Sequence, residues 1–379
     1  MSLSAGVTRS TCEFRVRFFE CDAFGDVLSR RNKRLNSPFS KMESELMRKA
    51  QLGFTALGSL IFGLIAAISS WADDGNPAYT DVKKAPADYG YQGEYLGTAT
   101  EDPGFKLGIQ IIALGEGKFD LIAYYGGLPG QGWSRGGETI RAKGTLADGK
   151  IKFTSEDGDG WAMLEDGAIT AYDGDNNKIA EFEKTKRKSP TLGAKPTENA
   201  VVLFDGSTAE RFENGKLMEG GLLGATNCFS KEKLGDHHLH IEFRTPFMPK
   251  SRGQARGNSG VYMQSRYELQ VLDSFGLDGK NNECGGIYSI SEPIVNMCLP
   301  PLSWQTYDID FTAARYDDQG NKTKNARATI RHNGVVIHRD LELPHGTPGR
   351  LPEGAGPESL FLQNHGNPVA FRNIWVEKK

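Results

Sequence analysis

The sequence predicts an all-β protein, with a small antiparallel β domain followed by a larger β-sandwich of jelly-roll type. Three observations lead there. At 379 residues the chain exceeds ordinary single-domain size, so two folded domains are expected. Glycine is abundant, at 46 residues, and falls among alternating apolar and polar positions, as in short strands joined by tight turns. The second half shows no helix with a convincing amphipathic period. Charged residues make up 25% of the chain with a net charge of −3. Basic residues are balanced and form no long stripe, which argues against a nucleic-acid partner.

Residues 42–72 carry the layout of a secretory signal peptide. Arg48 and Lys49 supply the positive start, and Leu52 to Ile68 run without a charge. Ser70 and Ala72 then place small residues where a signal peptidase reads, followed by Asp73 and Asp74. The rival reading is an uncleaved anchor, because the apolar run approaches spanning length. Residues 1–41, rich in Arg and Ser and containing Cys12 and Cys21, read as a disordered extension or as translation assigned too far upstream of Met42 or Met47. Cleavage would leave a secreted or periplasmic protein with no membrane span. It would also leave three cysteines: Cys228, Cys284 and Cys298. In an oxidising compartment one disulfide is expected. Cys284 and Cys298, fourteen residues apart and flanking a loop, are the preferred pair. No Cys/His cluster suggests structural zinc.

The first domain is expected over 79–185. Its clearest strands are Tyr91 to Thr98, Lys106 to Ala113, Phe119 to Tyr125, Glu138 to Ala147 and Ile151 to Thr154, with others around Trp161, Ile169 and Ile179. Leu114-Gly-Glu-Gly-Lys118 and Ala147-Asp-Gly-Lys150 read as hairpin turns. Gly126 to Gly137 is a glycine-rich loop whose Trp133 could stack on a sugar or simply pack locally. No catalytic constellation occurs here, so the unit reads as an accessory or binding domain. Residues 186–200, basic and proline-bearing, read as a linker.

Residues 201–379 supply the second domain. Strands are expected at Leu239 to Thr245, Ser259 to Ser265, Tyr267 to Leu272, Gln305 to Phe311, Arg327 to His332, Val335 to Arg339, Leu360 to Gln363 and Phe371 to Glu377. His332-Asn-Gly-Val335 is a strong hairpin signal. Strand parity separates a core face from a polar face. Leu239, Ile241 and Phe243 lie opposite His240, Glu242 and Arg244; Leu269 and Val271 lie opposite Glu268 and Gln270. Two strands offering carboxylates beside Arg or Gln suggest a groove, although polar faces also simply meet solvent. Asn258 and Ser259, between glycines, can offer hydrogen bonds to hydroxyls, or make a bulge. His365 sits in a loop between two strands, and an imidazole suits acid or base work near neutrality.

The segments GNSGVYMQ, YELQVLDSFG, CGGIY, PPLSWQTYDIDFTAAR, ATIRHNGVVIH and LQNHGNPVAFRNIWV, in this order, resemble the 3-keto-disaccharide hydrolase family. The resemblance covers Val201 to Val376 and implies a concanavalin-like sandwich that cleaves disaccharides or glycosides bearing a ketone at C3. That ketone acidifies the C2 hydrogen, so a base can form an enediolate, the C1 substituent can leave, and water can add back. Such a route needs a base, an oxyanion partner and an acid. Glu268 or His365 is the expected base, Arg244 or Gln270 the partner of the developing charge, and Glu242 an acid or a ligand of a divalent metal. Metal dependence stays open and no cofactor is otherwise implied. A glycoside 3-dehydrogenase would have to act upstream, because no nucleotide-binding glycine motif follows a strand here.

Two rival functions remain. A carbohydrate-binding module or lectin would rely on stacking residues such as Tyr262, Tyr288 or Trp304. An ordinary retaining glucanase would use the acids of Glu268-x-Gln270-x-x-Asp273, in which the middle carboxylate has become an amide, against the two-carboxylate requirement.

Overall fold

The computed structural model describes residues 76–379; the expected extension over 1–41 and signal segment over 42–72 lie outside the described residues. Among the described residues no helix is long and apolar enough to cross a membrane.

The first domain is a closed eight-stranded barrel. Its strands are Gly93–Ala99, Lys106–Gly115, Lys118–Tyr125, Thr139–Ala147, Lys150–Ser155, Gly160–Glu165, Ala168–Asp173 and Lys178–Thr185. Each pairs antiparallel with its neighbour in sequence, and the first pairs with the last. Closure removes the exposed edges that an open eight-stranded meander would leave. Alternation fills the interior with Ile109, Ile111, Phe119, Leu121, Ile151, Phe153, Leu164, Ile169 and Phe182. The Asp148-Gly149 turn is left-handed at both residues, with φ of 51° and 78°, as a two-residue hairpin of matching twist requires.

The second domain is a two-sheet antiparallel sandwich. The larger sheet runs in the order Leu217–Met218, Leu222–Gly224, Ala370–Lys378, His237–Arg244, Gln305–Thr312, Ala326–His332, Val335–Leu343, with Val201–Phe204 also paired to Ala370–Lys378. The smaller sheet runs Phe212–Glu213, Cys228–Leu234, Glu358–Leu362, Ser259–Met263, Tyr267–Val271. Leu239, Ile241 and Phe243 from one sheet meet Val261, Met263, Leu269, Val271, Leu360 and Leu362 from the other in a single core. Asn333-Gly334 forms its expected turn with φ of 50° and 80°. The strand Cys228–Leu234 escapes sequence reading because Lys231, Glu232 and Lys233 dilute its apolar alternation. The two- and three-residue pairings have no period to detect.

Barrel and sandwich share buried surface. Ile112, Ile122 and Tyr124 of the barrel join the sandwich core, and a Cβ on Gly276 would lie 2.4 Å from Ile112 Cδ1. Arg135, on the glycine-rich loop, donates to the carbonyls of Gly279 at 2.6 Å and Pro293 at 2.8 Å, and Arg141 pairs with Asp278 at 2.7 Å. Trp133 packs edge-on against Tyr124 with ring centroids 5.1 Å apart.

The segment expected as a linker is a strap laid on the outer face of the larger sheet. Arg187 donates to Glu94 and to the Pro129 carbonyl. Ser189 meets the Thr306 hydroxyl at 2.6 Å, Thr191 donates to Asp308 at 2.7 Å, and Gly193 N–H donates to Glu242 at 2.6 Å. Its composition resembles that of a tether, but its polar side chains are spent on the sheet beneath.

Candidate active site

The outer face of the smaller sheet carries a row of side chains set by register. Phe229 pairs with Phe361, Phe361 with Tyr262, and Tyr262 with Glu268, across four adjacent strands. Two residues along, on the same face, Gly260 pairs with Gln270. At the Glu268 end lies a pocket of about 240 Å³ lined by Gln254, Asn258, Tyr262, Glu268, Gln270, Tyr288, Pro348, Gly349, Gln363 and His365. Six residues selected from sequence therefore converge: Asn258, Tyr262, Glu268, Gln270, Tyr288 and His365.

Local structure explains each placement. Tyr267–Val271 is the sheet's edge strand, and the loop beyond it covers that edge. Gln270 N–H donates to Gly286 O at 2.9 Å, Gly285 N–H to Gln270 O at 3.0 Å, and Tyr288 N–H to Glu268 O at 3.2 Å. This backbone pairing brings Tyr288 to the pocket. His365 is exposed on the loop between the strands Glu358–Leu362 and Ala370–Lys378. That loop is pinned where Asn364 N–H donates to Asn227 at 2.8 Å and Asn258 N–H to Asn367 at 2.7 Å. Gly260 leaves room for the acid: a Cβ there would lie 2.6 Å from Glu268 Oε1 and 2.8 Å from the Tyr262 ring.

Three amides of the pocket, Asn258, Gln270 and Gln363, have donating N–H groups but oxygens without a partner. Asn258 Nδ2 donates to Gln254 O at 2.8 Å and Gln254 Oε1 at 3.1 Å. Gln270 Nε2 donates to Gln254 Oε1 at 2.9 Å and Asn282 O at 3.2 Å, and Gln363 Nε2 donates to the Tyr262 hydroxyl at 3.1 Å. Asn258 Oδ1, Gln270 Oε1 and Gln363 Oε1 are each buried without a partner. Orphaned acceptors carry a desolvation penalty of about 1–3 kcal/mol each, which a ligand bearing hydroxyl donors relieves.

Glu268 is 4% exposed. Burial pushes its carboxyl up to about 7, partly opposed by the hydrogen bond from Tyr262. Burial together with the adjacent Glu268 raises the Tyr262 phenol. A carboxyl titrating near neutrality can both take and return a proton.

Glu242, Arg244 and Trp304 are not part of this site. As parity predicts, His240, Glu242 and Arg244 face away from the core formed by Leu239, Ile241 and Phe243. However, their strand belongs to the larger sheet, so they face the opposite side of the sandwich. Glu242 is fully buried under donors from Gly193 N–H at 2.6 Å, Arg372 at 2.6 Å and Asn373 at 2.9 Å. Burial raises its carboxyl, but hydrogen bonds from His240, Asn373, Gly193 and Arg372 outweigh it and hold the group at about 2. It anchors the strap and has no proton to give at neutral pH. Arg244 and Arg372 lie 4.9 and 4.0 Å from the Trp304 ring centre, which occupies that indole. Ser259 shares the parity of Val261 and instead donates to Gln363 O at 2.7 Å. Asp273, needed by a glucanase, is buried against Arg256 at 2.6 Å.

The expected disulfide is also corrected. Cys284 and Cys298 are buried free thiols hydrogen-bonded to each other. Cys284 Sγ also meets the Tyr307 hydroxyl at 3.2 Å, and Cys298 donates to Leu272 O at 3.5 Å. Spacing brought the pair together, but each thiol is satisfied as a thiol.

Among the described residues no three His, Cys, Asp or Glu side chains converge as a metal site. The pocket's carboxylate and amide oxygens are the donor class of hard cations, so a chelator belongs in any assay. Gln254 and Gln363 were missed from sequence. Extending the alternation of Leu360 and Leu362 by one residue would have found Gln363, whereas Gln254 lies in a short turn, Gly253–Ala255, with no pattern to read.

Residues 199–377 match the family described as the 3-keto-alpha-glucoside-1,2-lyase-like domain. Two solved structures from Parabacteroides distasonis, each of a protein named by inference as a glycosyl hydrolase, are similar. One is 30% identical, covering 48% of this chain and 84% of its own, with a TM-score of 0.44. The other is 14% identical, covering 49% and 98%, with a TM-score of 0.36. No curated protein matches the chain significantly. The chain, through residues 199–377, belongs to the 3-keto-alpha-glucoside-1,2-lyase-like domain family.

Proposed function

We propose that this protein cleaves 3-keto-glycosides at the Glu268 pocket by elimination across C1–C2, followed by hydration. The observation that carries the reading is a buried carboxyl held at about 7 among three amide oxygens without partners. Sugar hydroxyls satisfy those oxygens, and the carboxylate supplies the base. Glu268 takes the C2 proton, and the C2–H electrons move toward the C3 carbonyl, leaving an enediolate. Once Glu268 is protonated, the Tyr262 hydroxyl no longer needs to donate to it and is free for the enediolate oxygen. The enediolate then re-forms the C3 ketone as C1=C2 forms and the C1–O bond breaks. His365 delivers a proton to the departing oxygen. Water adds its hydroxyl to C1 and a proton to C2, giving the 3-keto monosaccharide. Gln270 presents an acceptor, so its part is to hold a substrate hydroxyl. An oxidoreductase acting earlier supplies the ketone.

The test is product analysis on a 3-keto disaccharide and on its unoxidised parent, each with and without chelator. Cleavage of the keto substrate alone is expected, with Glu268→Gln and His365→Ala each lowering turnover by about 10²-fold or more. Cleavage of both substrates at similar rates would favour an ordinary glycosidase. Binding without cleavage, unaffected by either substitution, would favour a lectin.

A further inference from the structure

The side-chain row does not stop at the pocket. Toward Phe229 lies a second depression of about 380 Å³, lined by Asn214, Asn227, Phe229, Gly349, Arg350, Phe361, Gln363 and Asn364. Gly349 and Gln363 line both depressions, so the two are neighbours on one face of the sheet. Three strand spacings separate Phe229 from Glu268, roughly 14 Å, a span suited to two linked rings.

The chemistry of the second depression differs from that of the first. Phe229 and Phe361 stack with centroids 4.7 Å apart, and the Arg350 guanidinium lies 4.4 and 4.5 Å above them. Among the described residues no carboxylate lines this depression; the polar remainder is amide. An exposed arginine held on aromatic rings, with no acid beside it, keeps its fork of N–H donors for an incoming oxyanion. We infer that this depression is the leaving-group subsite and that it selects a leaving group bearing a carboxylate, such as a uronate ring, which Arg350 grips. The subsite's assignment to a leaving group rests on the reaction proposed above; its charge preference rests on the lining alone.

The experiment uses the full chain and two unoxidised disaccharides that differ only in the reducing-end unit, one neutral and one a uronate. Affinities are measured by calorimetry for the wild type and for Arg350→Gln, with a melting curve for each because the exposed Arg350 also covers Phe229 and Phe361. The wild type is expected to prefer the uronate form by about tenfold or more, and Arg350→Gln to bring that ratio close to one. Equal affinities in the wild type, an unchanged ratio in the variant, or no binding of the uronate form at millimolar concentration would each overturn the inference. The 3-keto forms of the same pair are then assayed for cleavage. A uronate preference in binding without cleavage of either keto form would sink the reaction and leave the charged subsite standing.

Discussion

Replacing Glu268 with glutamine should make the protein more stable while disabling it, and the gain should grow with pH. The carboxyl has an ordinary value of 4.5 and is held at about 7 in the folded state, chiefly because burial penalises its charged form. One pH unit of displacement corresponds to about 1.4 kcal/mol, so the penalty reaches at most about 3.5 kcal/mol. A group raised in the folded state contributes its full share below its unfolded value. That share is lost as pH climbs through the folded value. The penalty is therefore small at pH 5, accumulates between about 4.5 and 7, and is complete by pH 8. Glutamine keeps the shape and never ionises. Urea denaturation of wild type and Glu268→Gln at pH 5 and pH 8, with equal slopes, isolates this contribution because other titrations cancel between the two proteins. The variant should gain 1–3 kcal/mol on the wild type between those pH values, as order of magnitude. A difference that is the same at both pH values, or that shrinks toward pH 8, would refute the claim that a buried carboxyl is kept near neutrality there.

Gly260→Ala should lower turnover at least tenfold while the protein stays folded, with a loss of about 1–3 kcal/mol, because the new methyl would collide with the Glu268 carboxylate; steady-state kinetics and a melting curve check this. Glu242→Ala should cost about 3–5 kcal/mol by stripping Arg372, His240 and Gly193 of a buried partner, yet leave turnover of the folded fraction intact, since it faces the other side of the sandwich. The group is held at about 2, so its stabilisation is present above 4.5 and is lost as pH falls toward 2. Acid denaturation of wild type and variant should converge in that window. Arg135→Ala should release the loop that it fixes at Gly279 and Pro293, lowering kcat severalfold and speeding amide exchange at Tyr288. Unchanged exchange there would show that the barrel does not brace the pocket.

Legibility from sequence followed the range of the interactions. Period-two alternation is local, so all eight barrel strands and the long sandwich strands were readable, as were the Asp148-Gly149 and Asn333-Gly334 turns. Which sheet a strand joins is not local. Glu242 and Glu268 have equivalent parity in similar-looking strands, and only the pairing of His237–Arg244 with Gln305–Thr312 places the first on the far side of the core. The site was legible where motif and parity coincided, as at Tyr262, Glu268 and Gln270. It was illegible where a turn or strap decided matters, as at Gln254 and along 186–200. Trp304 reads from sequence as a stacking residue, whereas in the fold Arg244 and Arg372 lie against its ring.

The strap has a consequence for how this protein is divided. The family match begins at residue 199, just after the segment in which Ser189, Thr191 and Gly193 seal the outer face of the larger sheet. The unit of inheritance and the unit of folding therefore have different borders. A protein cut at the family border would uncover Asp308, Thr306 and Glu242 together and leave the buried Glu242 without its Gly193 donor, while cutting upstream of Lys186 keeps the seal. Kinship is counted from residue 199, whereas the hydrogen bonds that cover this sheet begin at Ser189, and the sandwich core itself draws on Ile112, Ile122 and Tyr124 of the barrel.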